Sequence, residues 1–457
     1  MMIDGGSFRD KSGFVFQCEN TLYRYIDDTY KHDYAFLKDT GLYDKLVEKE
    51  LLVPHEEASL PDKVFLKPPF KIIKPEKVPF ITYPYEWCFS QLKSAAILTL
   101  QIQNLAFEYG MSLKDASAYN VQFIQNKPVF IDTLSFERRQ RPEPWGAYKQ
   151  FCQHFLAPLA LMARTDVRLS HLFTSFLDGI PLDLASKLLP RQSFLSPGLL
   201  FHIHLHSKHQ KKYEKKHIKP KPYKDLSFKA LIDSLQTIIE RQNLPAFSSE
   251  WSDYYDDIHY SKESLESKIE IVDSFMDEAK PDSVWDVGMN TGFFSARCAR
   301  RGIQTIGFDS DPICIEKRFK AMNSEDESSI FLPIVMDFTN PSSGIGWENQ
   351  ERMSLQQRGS ADLILALAVI HHIVLSNNIP LDYVARFFSK LAKELIVEFI
   401  PAEDKMALSL TKNRKELPHE YSINAFRTKF NLYFQIVKEK KIEGSERVLF
   451  YMRLKNG

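Results

Sequence analysis

Apolar positions change their period along the 457-residue chain, and the changes mark its elements. Gly13-Phe14-Val15-Phe16 and Thr21-Leu22-Tyr23-Arg24-Tyr25-Ile26 are short, apolar-rich runs of strand type. From Tyr34 to Leu52 the apolar residues take helical spacing. Ser90 to Tyr109 does the same and stops at Gly110, a residue suited to closing a helix. Short strands are predicted at Val121-Gln122-Phe123-Ile124 and Pro128-Val129-Phe130-Ile131. After about residue 247 the pattern becomes strand, helix, strand. Val284–Val287, Thr305–Phe308, Phe331–Val335, Asp362–Val369 and Leu395–Ile400 read as strands. Helices are predicted after Gly292, after Asp309, and over Leu381–Ala392. Strands this continuously apolar imply a parallel sheet covered on both faces. Two last stretches, Leu432–Ile442 and Arg447–Leu454, joined at Gly444-Ser445, add an antiparallel hairpin at its edge. The expectation is an α/β fold: a Rossmann-like doubly wound sheet with an antiparallel last strand over 247–457, preceded by an α+β domain over 1–200.

Composition changes this picture between the two. Residues 201–246 carry His202, His204, His206 and His209, then Lys211, Lys212, Lys215, Lys216, Lys219, Lys221 and Lys224, broken by Pro220 and Pro222. This predicts a connector with a basic stretch. The alternation His202-Ile203-His204-Leu205-His206 would set three imidazoles on one face of a strand. No Cys or Asp stands beside them, and no metal site is assigned. Charge runs are usually solvated faces, and Lys plus Arg equals Asp plus Glu at 59 each, so no nucleic-acid partner is assigned. Cys18, Cys88, Cys152, Cys298 and Cys314 show no zinc or redox spacing and read as free thiols of a reducing compartment. The N-terminus lacks the basic-then-apolar order of a signal peptide. No apolar run reaches the roughly 18 residues of a membrane span. The expected location is the cytoplasm.

The candidate chemistry of the second half lies at strand ends. Asp286 closes a strand, and Gly288 and Gly292 then flank a tight turn into a helix. Glycine there lets backbone approach a ligand closely. The Gly-x-x-x-Gly spacing is looser than the dinucleotide Gly-x-Gly-x-x-Gly, which argues against a nicotinamide enzyme. Asp309 ends the next strand, where a carboxylate can accept both ribose hydroxyls. Asp337 is expected to end the third, where a carboxylate can reach an adenine amino group.

With these residues in place, the second half resembles class I S-adenosylmethionine-dependent methyltransferases. Val284-Trp285-Asp286-Val287-Gly288-Met289-Asn290-Thr291-Gly292 is similar to their first motif. Gly307-Phe308-Asp309-Ser310-Asp311-Pro312 is similar to the acidic ribose motif. Ala361-Asp362-Leu363-Ile364-Leu365-Ala366-Leu367-Ala368 is similar to the fourth strand, which faces the methyl donor. The resemblance implies cofactor contacts from Asp286, Gly288, Asn290, Gly292, Asp309, Asp337 and Leu367. No Asn/Asp-Pro-Pro-Tyr follows the fourth strand, which disfavours adenine and glutamine amides as acceptors. Ile370-His371-His372-Ile373 stands there instead, and His371 or His372 is the candidate base for a hydroxyl acceptor; packing or capping is the plainer role for either ring. The run through Asn377-Asn378-Ile379-Pro380-Leu381 is similar to a bacterial subgroup that includes nodulation-type methyltransferases. Trp251, Tyr254, Tyr255 and Tyr260 precede the first strand, where an aromatic can cover the sulfonium.

The first half resembles the protein-kinase and aminoglycoside-phosphotransferase superfamily. Asp115-Ala116-Ser117-Ala118-Tyr119-Asn120 and Asp132 match, in order, the catalytic Asp, the metal-binding Asn and the metal-binding Asp. Tyr83-Pro84-Tyr85-Glu86-Trp87 falls near the inter-lobe hinge. The resemblance implies Mg-ATP at this domain. Against it stand the missing glycine loop, Arg24 where a phosphate-binding Lys belongs, Lys114 before the catalytic Asp, and Thr133-Leu134 after Asp132. The plainer role of Asp115, Asn120 and Asp132 is in turns between short strands. Three readings follow. The first is a methyltransferase acting on a hydroxyl or carbon of a small molecule or sugar. The second is a phosphotransferase or bifunctional enzyme. The third is a non-catalytic interaction protein.

Overall fold

The computed structural model describes residues 2–19, 21–59, 65, 67–124, 126–139, 143–208, 224–245, 261–325, 330–412 and 421–455. The chain divides into two compact units, one of residues 1–246 with 344–352, the other of 247–343 with 353–457.

Unit 1 opens with an antiparallel sheet of five strands in the order β1-β2-β3-β5-β4. Its strands are β1 (Met2–Ile3), β2 (Gly13–Cys18), β3 (Thr21–Ile26), β4 (His55–Ala58) and β5 (Lys71–Pro75). Helices α1 (Lys31–Asp39) and α2 (Leu42–Glu48) fill the gap between β3 and β4. The long helix α3 (Phe89–Glu108) is buried along most of its length and ends at Gly110, as its pattern predicts. Two small antiparallel pairs follow. One joins β6 (Met111–Leu113) to β9 (Phe136–Arg138), the other β7 (Val121–Ile124) to β8 (Lys127–Phe130). Helix α4 (Ala157–Arg164) comes next.

The expected connector departs from expectation. Residues 225–241 form helix α5 (Asp225–Arg241), which buries Phe228, Ile232, Leu235, Ile238 and Ile239 and packs on α3. These residues recur at helical spacing, and burial of that stripe outweighs the local charge. The imidazoles are a second departure. His202 and His204 lie in the helical segment Leu200–Leu205, not on a strand. Positions two apart on a helix point to different sides, and each ring has its own partners. His202 bonds the Tyr148 and Ser234 hydroxyls at 2.8 and 3.0 Å, and His204 the Ser186 and Ser193 hydroxyls at 2.8 and 2.9 Å. His209 and Lys211 to Lys221 lie outside the described residues.

Unit 2 is a seven-stranded sheet in the order β12-β11-β10-β13-β14-β16-β15. Strands β10 (Ser283–Val287), β11 (Gln304–Asp309), β12 (Phe331–Val335), β13 (Ala361–Ala366) and β14 (Ala392–Phe399) run parallel. β15 (Phe434–Lys441) and β16 (Val448–Leu454) form the closing hairpin, and β16 pairs antiparallel with β14. The helices include α6 (Lys262–Ala279), α7 (Phe293–Arg300), α8 (Pro312–Glu325), α9 (Leu381–Phe388) and α10 (Ile423–Phe430), with a short one at Lys405–Thr411. Val284, Leu363, Leu365, Ile396, Leu449 and Tyr451 from the strands pack with Ile271, Val272 and Phe275 of α6. The strands are apolar on both faces, which fits a sheet sandwiched between helices. Chain order reverses between β10 and β13, so a crevice opens at their carboxyl ends. Among the described residues no helix is long and apolar enough to cross a membrane.

Candidate functional site

The loop after β10 has a backbone that its sequence demands. Gly288, Asn290 and Gly292 all take positive φ, at +72°, +54° and +78°. Glycine does this without strain, and asparagine tolerates it better than most residues. A Cβ on Gly288 would stand 3.0 Å from Val369 Cγ2, beside the end of β13. The loop is fastened to β11: the Gly288 and Met289 N–H groups donate to the Phe308 carbonyl at 2.9 and 3.0 Å. Gly307 admits the Met289 side chain, because a Cβ there would lie 2.2 Å from its Sδ. The loop is therefore a fixed ridge at the switch point of the sheet.

Asp309 ends β11 next to this ridge. Its Oδ2 accepts the Asn290 N–H at 2.7 Å, and its Oδ1 the Asp311 N–H at 2.9 Å. A carboxylate has about four acceptor sites, so these backbone donors leave acceptor capacity for a ligand. Burial pushes its pKa up to about 6, against the lowering by the backbone N–H groups of Asp311, Asn290 and Ser310. Asp286 sits deeper, 3% exposed, and accepts the Ser295 hydroxyl at 2.6 Å. Burial raises it to about 6 as well. Asp337 lies two residues beyond β12 and is exposed. Its Oδ1 takes the Thr339 N–H and hydroxyl at 2.7 and 2.6 Å, and Oδ2 has no protein partner among the described residues.

Across the switch point, β13 runs into Leu367, which is buried, and then Ala368 at φ +57°. An alanine held in the left-handed region is strained, and such strain clusters where chain direction serves a site. The turn carries His371 and His372 side by side, with ring centroids 4.1 Å apart. Burial drives both imidazoles to lower pKa, His372 to about 4 and His371 well below its ordinary value, where His372, Arg447 and Lys268 add to the fall. Both are neutral at pH 7. His371 is 2% exposed, and neither ring nitrogen has a partner among the described residues.

Sequence reasoning missed Ser295, which holds Asp286, and Gly307, whose missing side chain seats Met289. It also missed Arg318, whose guanidinium lies over the Phe331 ring at 5.3 Å, and the buried pair Lys268–Glu398 at 2.7 Å. A glycine in the middle of a predicted strand was the available signal for Gly307. Trp251, Tyr254, Tyr255 and Tyr260 lie outside the described residues.

In unit 1 the three kinase-like positions do come together. Asn120 donates to the Ser135 hydroxyl at 3.2 Å, and Ser135 donates to Asp132 Oδ2 at 2.6 Å. Asp115 accepts the Ser117 N–H and the Gln150 amide at 2.9 and 2.7 Å, and burial raises its pKa, with Asp132 adding to the rise. Arg24 closes the cluster. Its Nη1 stands 2.5 Å from Asp132 Oδ1 and its Nη2 3.2 Å from Asp10 Oδ2. Lys114 reaches the Ser12 hydroxyl at 2.8 Å. The carboxylate expected to hold magnesium is thus neutralised by an arginine of the same chain.

No family model matches the chain. Nodulation protein NoeA of Rhizobium meliloti (strain 1021) is 32% identical over 455 residues, covering 97% of this chain and 94% of that protein. Among solved structures, N-methyltransferase NodS from Bradyrhizobium japonicum WM9 is 12% identical, covering 44% of this chain and 100% of its own, with a TM-score of 0.32. Magnesium protoporphyrin IX methyltransferase from Synechocystis PCC 6803 with bound SAH is 15% identical, over 42% of this chain and 84% of its own, with a TM-score of 0.31. The bifunctional kinase-methyltransferase WbdD is 19% identical, over 44% of this chain and 41% of its own, with a TM-score of 0.31.

Proposed function

The chain belongs to the family of the nodulation protein NoeA, and from that premise we propose that it is an S-adenosylmethionine-dependent methyltransferase whose site lies in unit 2. One observation carries the reading: Asp309 is clamped by the loop N–H of Asn290 and keeps acceptor capacity at the switch point of the sheet. The fit is chemical. A nucleoside cofactor brings two adjacent ribose hydroxyls to that carboxylate and an adenine amino group to Asp337. Gly288 and Gly292 keep the ridge low enough for its body, and Asp286 holds the ridge from beneath through Ser295. Leu367 and Ala368 follow the end of β13 on the other side of the switch point, with Leu367 buried in the core.

When bound, the cofactor supplies an electrophilic methyl group on a sulfonium. His371 is the residue we assign to the acceptor: its neutral imidazole would take the proton given up by a hydroxyl or an acidic carbon, the methyl group's bond to sulfur breaking as its bond to the acceptor forms. His372 packs against it and helps keep it neutral. The acceptor belongs to the small-molecule or sugar class.

In unit 1 an antiparallel sheet, a buried segment at Tyr83–Trp87, a long helix and an Asp–Asn–Asp loop cluster come in the order that the kinase-like reading implies, and this supports that reading. The Arg24–Asp132 ion pair speaks against Mg-ATP there. We read it as a non-catalytic unit.

The test is His371→Ala against wild type. Affinity for S-adenosylmethionine by calorimetry should stay within about two-fold, while methyl transfer falls roughly 100-fold or more. Transfer unchanged in the variant removes His371 from the mechanism. Absence of cofactor binding by the wild type removes the methyltransferase reading itself.

A further inference from the structure

Beyond the switch point, four charged groups meet at the carboxyl edge of β14, where β16 begins. Lys268 of α6 donates to Glu398 Oε2 at 2.7 Å, and Arg447 Nη1 stands 3.6 Å from Glu398 Oε1. Arg447 also grips Asp404 through Nε and Nη2, at 2.9 and 3.1 Å. Glu398 is 0% exposed, Arg447 3% and Lys268 4%. Among the described residues two cations face two carboxylates, so these four groups carry no net charge. A buried ion network is by itself weak evidence for stability, since well-packed apolar residues of similar volume often serve a fold as well.

His371 supplies the second, independent observation. Its ring is buried and both nitrogens lack a partner among the described residues, although buried polar groups are ordinarily hydrogen-bonded. Lys268 from α6 and Arg447 from the start of β16 are the charges that act on it, with His372 from its own turn. A neutral imidazole has one donor and one acceptor, the complement of a hydroxyl.

We propose that this half of the crevice takes an uncharged, hydroxyl-bearing acceptor, and that Lys268 and Glu398 set that specificity. The proposal rests on the methyltransferase reading of the same unit. An amine arrives at neutral pH as an ammonium ion and needs an unmatched carboxylate; Glu398 and Asp404 are each matched by a cation. A carboxylate or phosphate needs an unmatched cation; Lys268 and Arg447 are each matched by a carboxylate. A neutral hydroxyl meets the open nitrogens of His371 and disturbs none of these pairs. Lys268 also lies 5.3 Å from the Phe294 ring at the start of α7, so the network is anchored next to the cofactor ridge.

The experiment uses the full chain, S-adenosylmethionine labelled in its methyl group, and a metabolite extract split by ion exchange into neutral, cationic and anionic fractions. Wild type should place label in the neutral fraction at least about ten-fold over either other. Lys268→Met leaves Arg447 alone facing Glu398 and Asp404, one negative charge in excess, and should move label towards the cationic fraction by a similar factor. The double variant Lys268→Met/Glu398→Gln is neutral again and should return label to the neutral fraction. If Lys268→Met fails to fold, Glu398→Gln alone should shift label towards the anionic fraction. Label in a charged fraction with wild type overturns the proposal. So does an unmoved preference in the single variants, or no labelled small molecule from a chain that binds the cofactor. Calorimetry on the same samples separates these failures, because a chain that binds no S-adenosylmethionine refutes the underlying reading instead.

Discussion

The two units each gather aspartates at motif spacing, and they differ in what holds the carboxylates. In unit 2, Asp309 is held by backbone N–H groups of Asn290 and Asp311. In unit 1, Asp132 is held by the Arg24 guanidinium, the Ser135 hydroxyl and the Leu134 N–H. Backbone donors fix a carboxylate in place and leave it negative, with acceptor sites to spare. A guanidinium cancels the charge that a magnesium ion would seek. Matching residues at matching spacing therefore leave a carboxylate open to a ligand in one unit, the site we propose, and an internal ion pair in the other.

The largest expected effect breaks the comparison from the side of unit 1. Arg24→Ala strands Asp132 and Asp10 and should cost about 3 kcal/mol, read by chemical denaturation, while cofactor affinity changes less than about two-fold. A neutral result would mean that the ion pair does not organise unit 1. A smaller effect sharpens the comparison from unit 2. Asp309 must be ionised to accept hydroxyls, and its pKa is pushed up to about 6. Affinity for S-adenosylmethionine should weaken roughly ten-fold from pH 7 to pH 5. Stability should move the opposite way. The fold raises Asp286 and Asp309 above their ordinary carboxylate values, so their contribution is present at low pH and is lost as pH rises through about 6. Parallel trends in binding and stability would contradict the assignment. The smallest effect is expected from Mg-ATP, which should shift the melting temperature by less than about 1 °C, against several degrees for saturating S-adenosylmethionine. A clear shift with Mg-ATP would show that Arg24 yields its place.

Unit 2 was legible because its signals are local. Continuous apolar strands, a positive-φ turn at Gly288–Gly292 and an acid at the end of β11 follow from short stretches of chain. The ladder places them as expected, with Asp286 opposite Gly307. What escaped is long-range. Lys268 and Glu398 are 130 positions apart, and nothing in either neighbourhood announces the other. Arg24 showed only as a departure from a lysine; its bond to Asp132 needed the fold. His202 and His204 were misread because an alternating pattern on a half-buried strand cannot be told from a short helical segment in which His202, Ile203 and His204 are buried together. The segment 344–352 lies in sequence between β12 and β13 and yet belongs to unit 1, where Glu351 pairs with Arg9 at 2.7 Å and Arg352 covers the Tyr119 ring at 4.1 Å. No periodicity reports such an excursion.

The most direct test is calorimetric titration of S-adenosylmethionine into wild type and Asp309→Ala at pH 7.5. Two charge-assisted hydrogen bonds to ribose imply at least a roughly 100-fold loss of affinity in the variant. Wild type should bind one cofactor per chain. Equal binding by both proteins, or none by wild type, would contradict the placement of the cofactor on the ridge of unit 2.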